Sequence, residues 1–307
     1  MLTLLAATMP LMRSAGTLFC LASGAAFGAM AVFGKLAFDE GASVGTLLAI
    51  RFSFAAALFW AIVPVREVRA LPRRDVVAGL ALGACGYSLQ ASCYFVALGR
   101  IEAPLLALLL YTFPAIVAGA AVAIGRERFG GRHVIAVLLA TGGLTLAVAG
   151  AGAGALDPLG VALGLAAATV YSVYILVSDG VARRVRPQVL ATLVCTGAAV
   201  TLLAGSTLLG EFRPAELTAA GWGWLACLAV VSTVAAISLF FAGLERVGPT
   251  MASILSTVEP LVTVVLAFLV FGERLGAIQL LGGALVLAAV VPATVAATAA
   301  RPATADS

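Results

Sequence analysis

Residues 245–277 read ERVGPTMASILSTVEPLVTVVLAFLVFGERLGA. From Thr250 to Gly272 this run carries no charge except Glu259, and Pro260 follows that carboxylate directly. Both residues are costly in an apolar helix, because a buried charge needs compensation and proline removes a backbone hydrogen bond. The same pattern stands 146 positions earlier, in GRIEAPLLALLLYTFPAIVAGAAVAIGRERFGG, residues 99–131. There Gly99-Arg100 matches Glu245-Arg246, Pro114 matches Pro260, and Glu127-Arg128 matches Glu273-Arg274. Each half of the chain thus holds a mid-helix proline and, thirteen residues on, a Glu-Arg pair that closes the helix. Phe27 and Tyr171 open a second pair of matched segments.

The solvent of these helices follows from composition. Of 307 residues, 63% are hydrophobic and 10% charged, against about 45–50% and about 25% in ordinary soluble domains. A water-soluble fold cannot hide so much apolar surface, so the sequence predicts an all-α integral membrane protein. One His and five cysteines without a CxxC pair give no metal or redox site, and no cofactor is expected. Cys20, Cys85, Cys93, Cys195 and Cys227 read as small hydrophobes in apolar runs.

Ten runs reach the roughly 20 apolar residues that a bilayer core about 30 Å thick requires. They lie at 16–37, 44–64, 76–98, 103–124, 133–151, 158–179, 188–209, 219–243, 249–271 and 276–297. Residues 1–15 lack the basic region and cleavage site of a signal peptide and are expected to be a disordered extension, with Met9 and Met12 as alternative starts. Residues 298–307 are expected to be a disordered cytoplasmic tail.

Arginine sets the direction of the spans. With a cytoplasmic N-terminus, thirteen arginines fall inside: Arg13, Arg66, Arg69, Arg73, Arg74, Arg126, Arg128, Arg132, Arg183, Arg184, Arg186, Arg246 and Arg301. Three, Arg100, Arg213 and Arg274, fall outside, while Lys35 and Arg51 lie in or near spans. The positive-inside rule then places both termini in the cytoplasm, for a multi-pass protein of the cell (inner) membrane. The net charge of +4 comes from these short loops and needs no nucleic-acid partner. Trp60, Trp222 and Trp224 fit the aromatic belt at the membrane edge.

Five spans per half is an odd number, so the second half enters the membrane in the opposite sense. The expected architecture is ten transmembrane helices as two inverted five-helix repeats, residues 16–151 and 158–297. Such repeats are typical of transporters, whose substrate site lies near the midplane where the halves meet. The paired proline spans, FGAMAVFGK at 27–35, LLAIRFSFAAAL at 47–58 and VYSVYILVS at 170–178 resemble the EamA family of the drug/metabolite transporter superfamily. The resemblance covers about residues 16–297. It implies a metabolite transporter, commonly an exporter, with amino-acid efflux among the family's better-known activities.

The candidate site grows from the breaks. Pro114 and Pro260 should free carbonyls one turn back, near Leu110 and Ser256, which in lipid must find other partners. These are the expected helix breaks or hinges. Glu259 sits mid-membrane beside one of them, as a substrate contact, a proton carrier, a neutral structural acid, or the partner of Arg51 in a charge pair. On span three, Tyr87, Gln90 and Tyr94 share one helix face. With Tyr111 and Ser256 they give a cavity of aromatic walls and polar handles, suited to a small amphipathic substrate bearing amino and carboxyl groups. Tyr171 and Tyr174 are weaker candidates. Gly24 and Gly28, Gly79 and Gly83, and Gly160 and Gly164 have the spacing of close helix contacts.

Other classes fit less well. An exchanger of phosphorylated sugars or nucleotide sugars needs several intramembrane cations, and Lys35 and Arg51 are the two available. A membrane-embedded enzyme lacks an acidic cluster or a nucleophile set, and a channel would show repeated polar rings rather than one Glu. Substrate identity, energy source and oligomeric state are not written in these residues.

Overall fold

The structure is a computed structural model that describes residues 2–125, 130–150 and 157–299. Among the described residues it is helical throughout, with no strand. The first half contains α1 (Leu2–Gly28), α2 (Met30–Asp39), α3 (Val44–Ile62), α4 (Val65–Arg69), α5 (Arg73–Ala81), α6 (Ser88–Leu98), α7 (Ala103–Leu110), α8 (Phe113–Ala123) and α9 (Gly131–Ala149). The second contains α10 (Pro158–Ala182), α11 (Pro187–Leu208), α12 (Ala219–Ala229), α13 (Ala236–Val247), α14 (Pro249–Ser256), α15 (Val258–Phe271) and α16 (Ala277–Ala299). A π-helical turn joins α5 to α6 at Leu82–Tyr87, and another joins α12 to α13 at Val230–Ala235.

Among the described residues seven helical stretches are long and apolar enough to cross a membrane, and three shorter apolar helices, Val134–Ala149, Val258–Phe271 and Ala277–Pro292, fall on the other expected runs. The protein is therefore a multi-pass membrane protein. The ninth expected run falls short because α14 and α15 are separate helices, parted at Thr257. α1 starts at Leu2 and runs without a break into the first span. The segment LTLLAATMPLM carries no charge and continues the apolar character of the span that follows. Glu127, Arg128 and residues 300–307 lie outside the described residues, as does the tail predicted there.

Helix ends are fixed by side chains. Ser43 caps α3 through Thr46 N at 3.0 Å, and Thr218 caps α12 through Gly221 N at 3.1 Å. Asp157 accepts from Leu159 N and Gly160 N at the start of α10. The Arg100 guanidinium, 2.8 Å from Asp157, is the main reason that its carboxyl is held below the usual range. At the opposite end of the helices Arg184 and Arg186 reach Asp75 and Glu67.

Pairing is selective. α3 packs on α11, α1 on α13, α6 on α10, α7 on α15 and α9 on α16. Glycine permits the closest of these approaches. A Cβ on Gly28 would stand 2.6 Å from the Glu259 carbonyl oxygen, so span one touches the backbone of α15 beside its carboxylate. At Gly164 a Cβ would instead stand 2.8 Å from the Leu109 side chain. The main core gathers around Phe52, Phe59, Phe95, Leu106 and Leu109, all buried, while Leu138, Leu269 and Val200 are exposed to lipid.

Candidate functional site

Both proline breaks occur where the missing N–H dictates. α7 stops at Leu110 and α8 begins at Phe113, around Pro114; α14 stops at Ser256 and α15 begins at Val258, around Pro260. The donor that Pro260 cannot supply to the Ser256 carbonyl comes from the other half of the chain. The Tyr111 hydroxyl stands 2.7 Å from Ser256 O and 3.0 Å from Glu259 Oε2. One break thus contributes the residue that closes the other.

The arrangement at Tyr111 has a built-in ambiguity. A phenol carries one proton and cannot donate fully to two acceptors. When Glu259 is neutral, its own O–H donates to the phenol oxygen while Tyr111 donates to Ser256 O, and every group is satisfied. When Glu259 is ionised, the carboxylate and the carbonyl compete for the same proton. The state of the acid is therefore coupled to the hydrogen bond that holds the helix break.

Aromatic rings extend from this junction. Tyr111 contacts Phe113 (centroids 5.8 Å apart), Phe113 contacts Tyr171 (4.9 Å), and Tyr171 stacks on Tyr174 (6.2 Å). Tyr174 then meets Tyr87 (5.6 Å), and Tyr87 meets Phe52 (5.4 Å). Tyr94 packs on Phe95 (5.3 Å). Four of the chain's five tyrosines belong to this line, and Tyr94 packs beside it on Phe95. Tyr87 and Tyr94 lie within electrostatic reach of both Glu259 and Arg51. Glu259, Tyr87, Tyr171 and Tyr174 remain partly exposed in mid-span, whereas Tyr111 and Tyr94 are buried.

The expected residues are met unevenly. Tyr111, Glu259 and the backbone of Ser256 come together directly. The Ser256 hydroxyl does not join them, since it donates to Ala252 O at 2.9 Å within its own helix. Gln90 is buried on α6 between Tyr87 and Tyr94, and among the described residues its amide has no hydrogen-bond partner. The charge pair expected between Arg51 and Glu259 does not form. Arg51 Nε donates to Thr233 Oγ1 at 2.9 Å, and Glu259 is engaged by Tyr111 instead.

Three features escaped the sequence reading. Thr233 lies in the π-helical turn of an apolar segment that gives no local sign of an extra residue. Phe113, the repeat counterpart of Glu259, joins the aromatic line as a ring rather than as a charge. Glu273 was read only as a helix end, yet its carboxylate pairs with Lys35 and accepts from Ala103 N at 3.0 Å. A cleft of about 500 Å³ opens at that clasp, lined by Lys35, Phe38, Arg100, Phe271 and Glu273 among others. Among the described residues no cluster of His, Cys, Asp and Glu has the makings of a metal site.

The profile of the EamA-like transporter family matches the chain twice, at residues 14–149 and 158–294. "Uncharacterized transporter YcbK" of Bacillus subtilis (strain 168) is 28% identical over 280 residues, which cover 88% of this chain and 89% of that one. An "Uncharacterized transporter" of Archaeoglobus fulgidus (strain ATCC 49558 / DSM 4304 / JCM 9628 / NBRC 100126 / VC-16) is 28% identical over 208 residues, 66% of this chain and 71% of that one. A solved crystal structure aligns with a TM-score of 0.66 over 94% of this chain and 100% of the other, at 21% identity, a likeness of fold alone.

Proposed function

This chain belongs to the EamA-like transporter family, and we propose that it exports small amphipathic metabolites, amino acids foremost, by alternating access around the tyrosine-lined junction. The observation that carries this reading is the Tyr111 hydroxyl at the break beside Glu259 and Pro260, from which a line of rings runs through Phe113, Tyr171 and Tyr174 to Tyr87. Aromatic faces supply the apolar contact that a neutral amino-acid side chain needs. Glu259 and the unpartnered Gln90 supply polar contacts for its head group.

The ten-span, two-repeat architecture is part of the proposal. Two separate matches to one family profile support it, as does the pairing of helices. Exchanging span n for span n+5 converts the α6–α10 contact into the α1–α13 contact, and leaves α3–α11, α7–α15 and α9–α16 each paired with itself. With five spans per repeat the second half is inverted, and both termini face the cytoplasm of an inner membrane. Single cysteines at Ala215 and Ala70, in a background without the five native cysteines, test the orientation. Ala215→Cys is expected to react with an impermeant thiol reagent in intact cells and Ala70→Cys to stay silent; the opposite result would reverse the topology.

The exchanger of phosphorylated sugars is not favoured, because Lys35 is committed to Glu273 and one buried cation remains for a phosphate dianion. Transport itself is tested in liposomes with a panel of labelled amino acids, with and without a pH gradient. Gln90→Ala, Tyr94→Ala and Tyr111→Ala are each expected to lower uptake by about 1–3 kcal/mol of lost contact, roughly 5- to 150-fold. Ser256→Ala is expected to stay near wild type, since its hydroxyl serves its own helix. Normal uptake by the three cavity variants would place the site elsewhere.

A further inference from the structure

Arg51 is a buried cation without a counter-charge. Its residue is 2% exposed, a third of the way along α3 in the interior of the bundle. Nε is taken by Thr233 Oγ1, and the Thr233 hydroxyl passes its own proton to Leu228 O at 2.9 Å. The rings of Phe52 and Phe95 lie 5.0 and 5.4 Å from Cζ. Among the described residues no acceptor reaches either Nη, and no carboxylate stands within ion-pair distance. The one acid of the neighbouring core, Glu259, is held by Tyr111.

We propose that Arg51 is an anion receptor whose Nη edge takes the carboxylate of the transported molecule; this rests on the reading that the tyrosine-lined junction is the transport site. A guanidinium sealed from water requires an opposite charge and hydrogen-bond acceptors for its remaining N–H groups. The two rings are apolar neighbours that offer the Nη groups no acceptor, and the Nη edge, with Nε taken by Thr233, presents two N–H groups that match the two oxygens of a carboxylate. The π-helical turn at Val230–Ala235 brings Thr233 to Nε and so fixes which edge remains available. Tyr87, Tyr94 and Cys195 lie within electrostatic reach of the guanidinium. One positive charge with no second cation selects a monoanion over a dianion. Because Arg51 is sealed in this structure, the anion enters when the helices part.

The purified full-length protein is tested with phenylacetate and phenylacetamide, which share a ring and differ in the charge of the head group. Thermal unfolding is followed at equal ionic strength, with sodium chloride as the inorganic-anion arm. Phenylacetate is expected to stabilise the wild type at concentrations at least tenfold below those needed for phenylacetamide, and chloride not to replace it. Arg51→Gln is expected to erase that preference, and Arg51→Lys, which keeps the charge but loses the fork, to reduce it severalfold. The wild-type comparison stands alone should Arg51→Gln fail to fold. Absence of an acid preference in the wild type, retention of it in Arg51→Gln, or equal stabilisation by chloride would each overturn the proposal. Uptake of labelled amino acids separates the two readings. Transport with no acid preference sinks the role of Arg51 alone. Acid-specific stabilisation without amino-acid uptake sinks the substrate class instead.

Discussion

Glu259→Gln is expected to reach the membrane at wild-type levels and to lose all dependence of transport on a pH gradient. The amide has nearly the size of the neutral acid and can donate to the Tyr111 oxygen as the neutral acid does. Tyr111 then keeps its proton on the Ser256 carbonyl, and the break at Pro260 stays closed. What the variant cannot do is ionise and draw that proton away. A carboxyl that only fills space would make the substitution silent, with wild-type transport at every pH. A charge-pair role predicts a different loss: removing one partner of a buried pair costs about 3–5 kcal/mol, and folded protein would fall. The geometry gives no support to that third outcome, since Arg51 is bonded to Thr233. Tyr111→Phe is the companion variant. It deletes the donor and leaves the Ser256 carbonyl unsatisfied, so it should lower stability even where Glu259→Gln does not.

The contrast between these residues explains how much the sequence disclosed. The spans were legible because bilayer thickness imposes a length on apolar runs, and the breaks because proline has no N–H wherever it stands. Tyr111 and Ser256 were legible as neighbours through the repeat, which aligns Pro114 with Pro260. The atom of Ser256 that matters was not. A serine in a helix can bond its own i−4 carbonyl, and that local option takes the hydroxyl and leaves the backbone oxygen for Tyr111. The partner of Arg51 was not legible for a related reason. Charge complementarity suggested Glu259, but a π-helical turn is a matter of register with little local signature, and it delivered Thr233 to the guanidinium. The ring contacts of Tyr171 and Tyr174 were not legible, because helical spacing places residues on one face without saying what that face meets.

Charge reversal at the clasp between Lys35 and Glu273 is expected to open the other end of the cavity. Gly272, at φ +70°, ends α15 in the left-handed conformation that glycine adopts readily. The turn swings Glu273 over the start of α7, where it accepts from Ala103 N while pairing with Lys35 of α2. One carboxylate thereby ties together spans one, four and nine. On the proposed topology this is the outer face. Below it, Phe38 and Phe95 meet edge to face with centroids 6.4 Å apart, over Tyr94 and Arg51. Glu273→Lys removes both functions at once, since an ammonium repels Lys35 and cannot accept from Ala103 N. Hydrogen bonds to charged groups contribute about 1.5–3 kcal/mol, which corresponds to a roughly tenfold to hundredfold shift toward the open mouth. Labelling of a Tyr94→Cys probe by an impermeant thiol reagent added outside should accelerate by that factor. Glu273→Gln keeps the cap through its amide oxygen and loses the charge. The exchange Lys35→Glu with Glu273→Lys restores attraction without the cap. Both should therefore fall between wild type and Glu273→Lys. If the probe in Glu273→Lys labels no faster than in the unaltered clasp, Glu273 does no more than end a helix, and the outer mouth is closed by the aromatic pair alone.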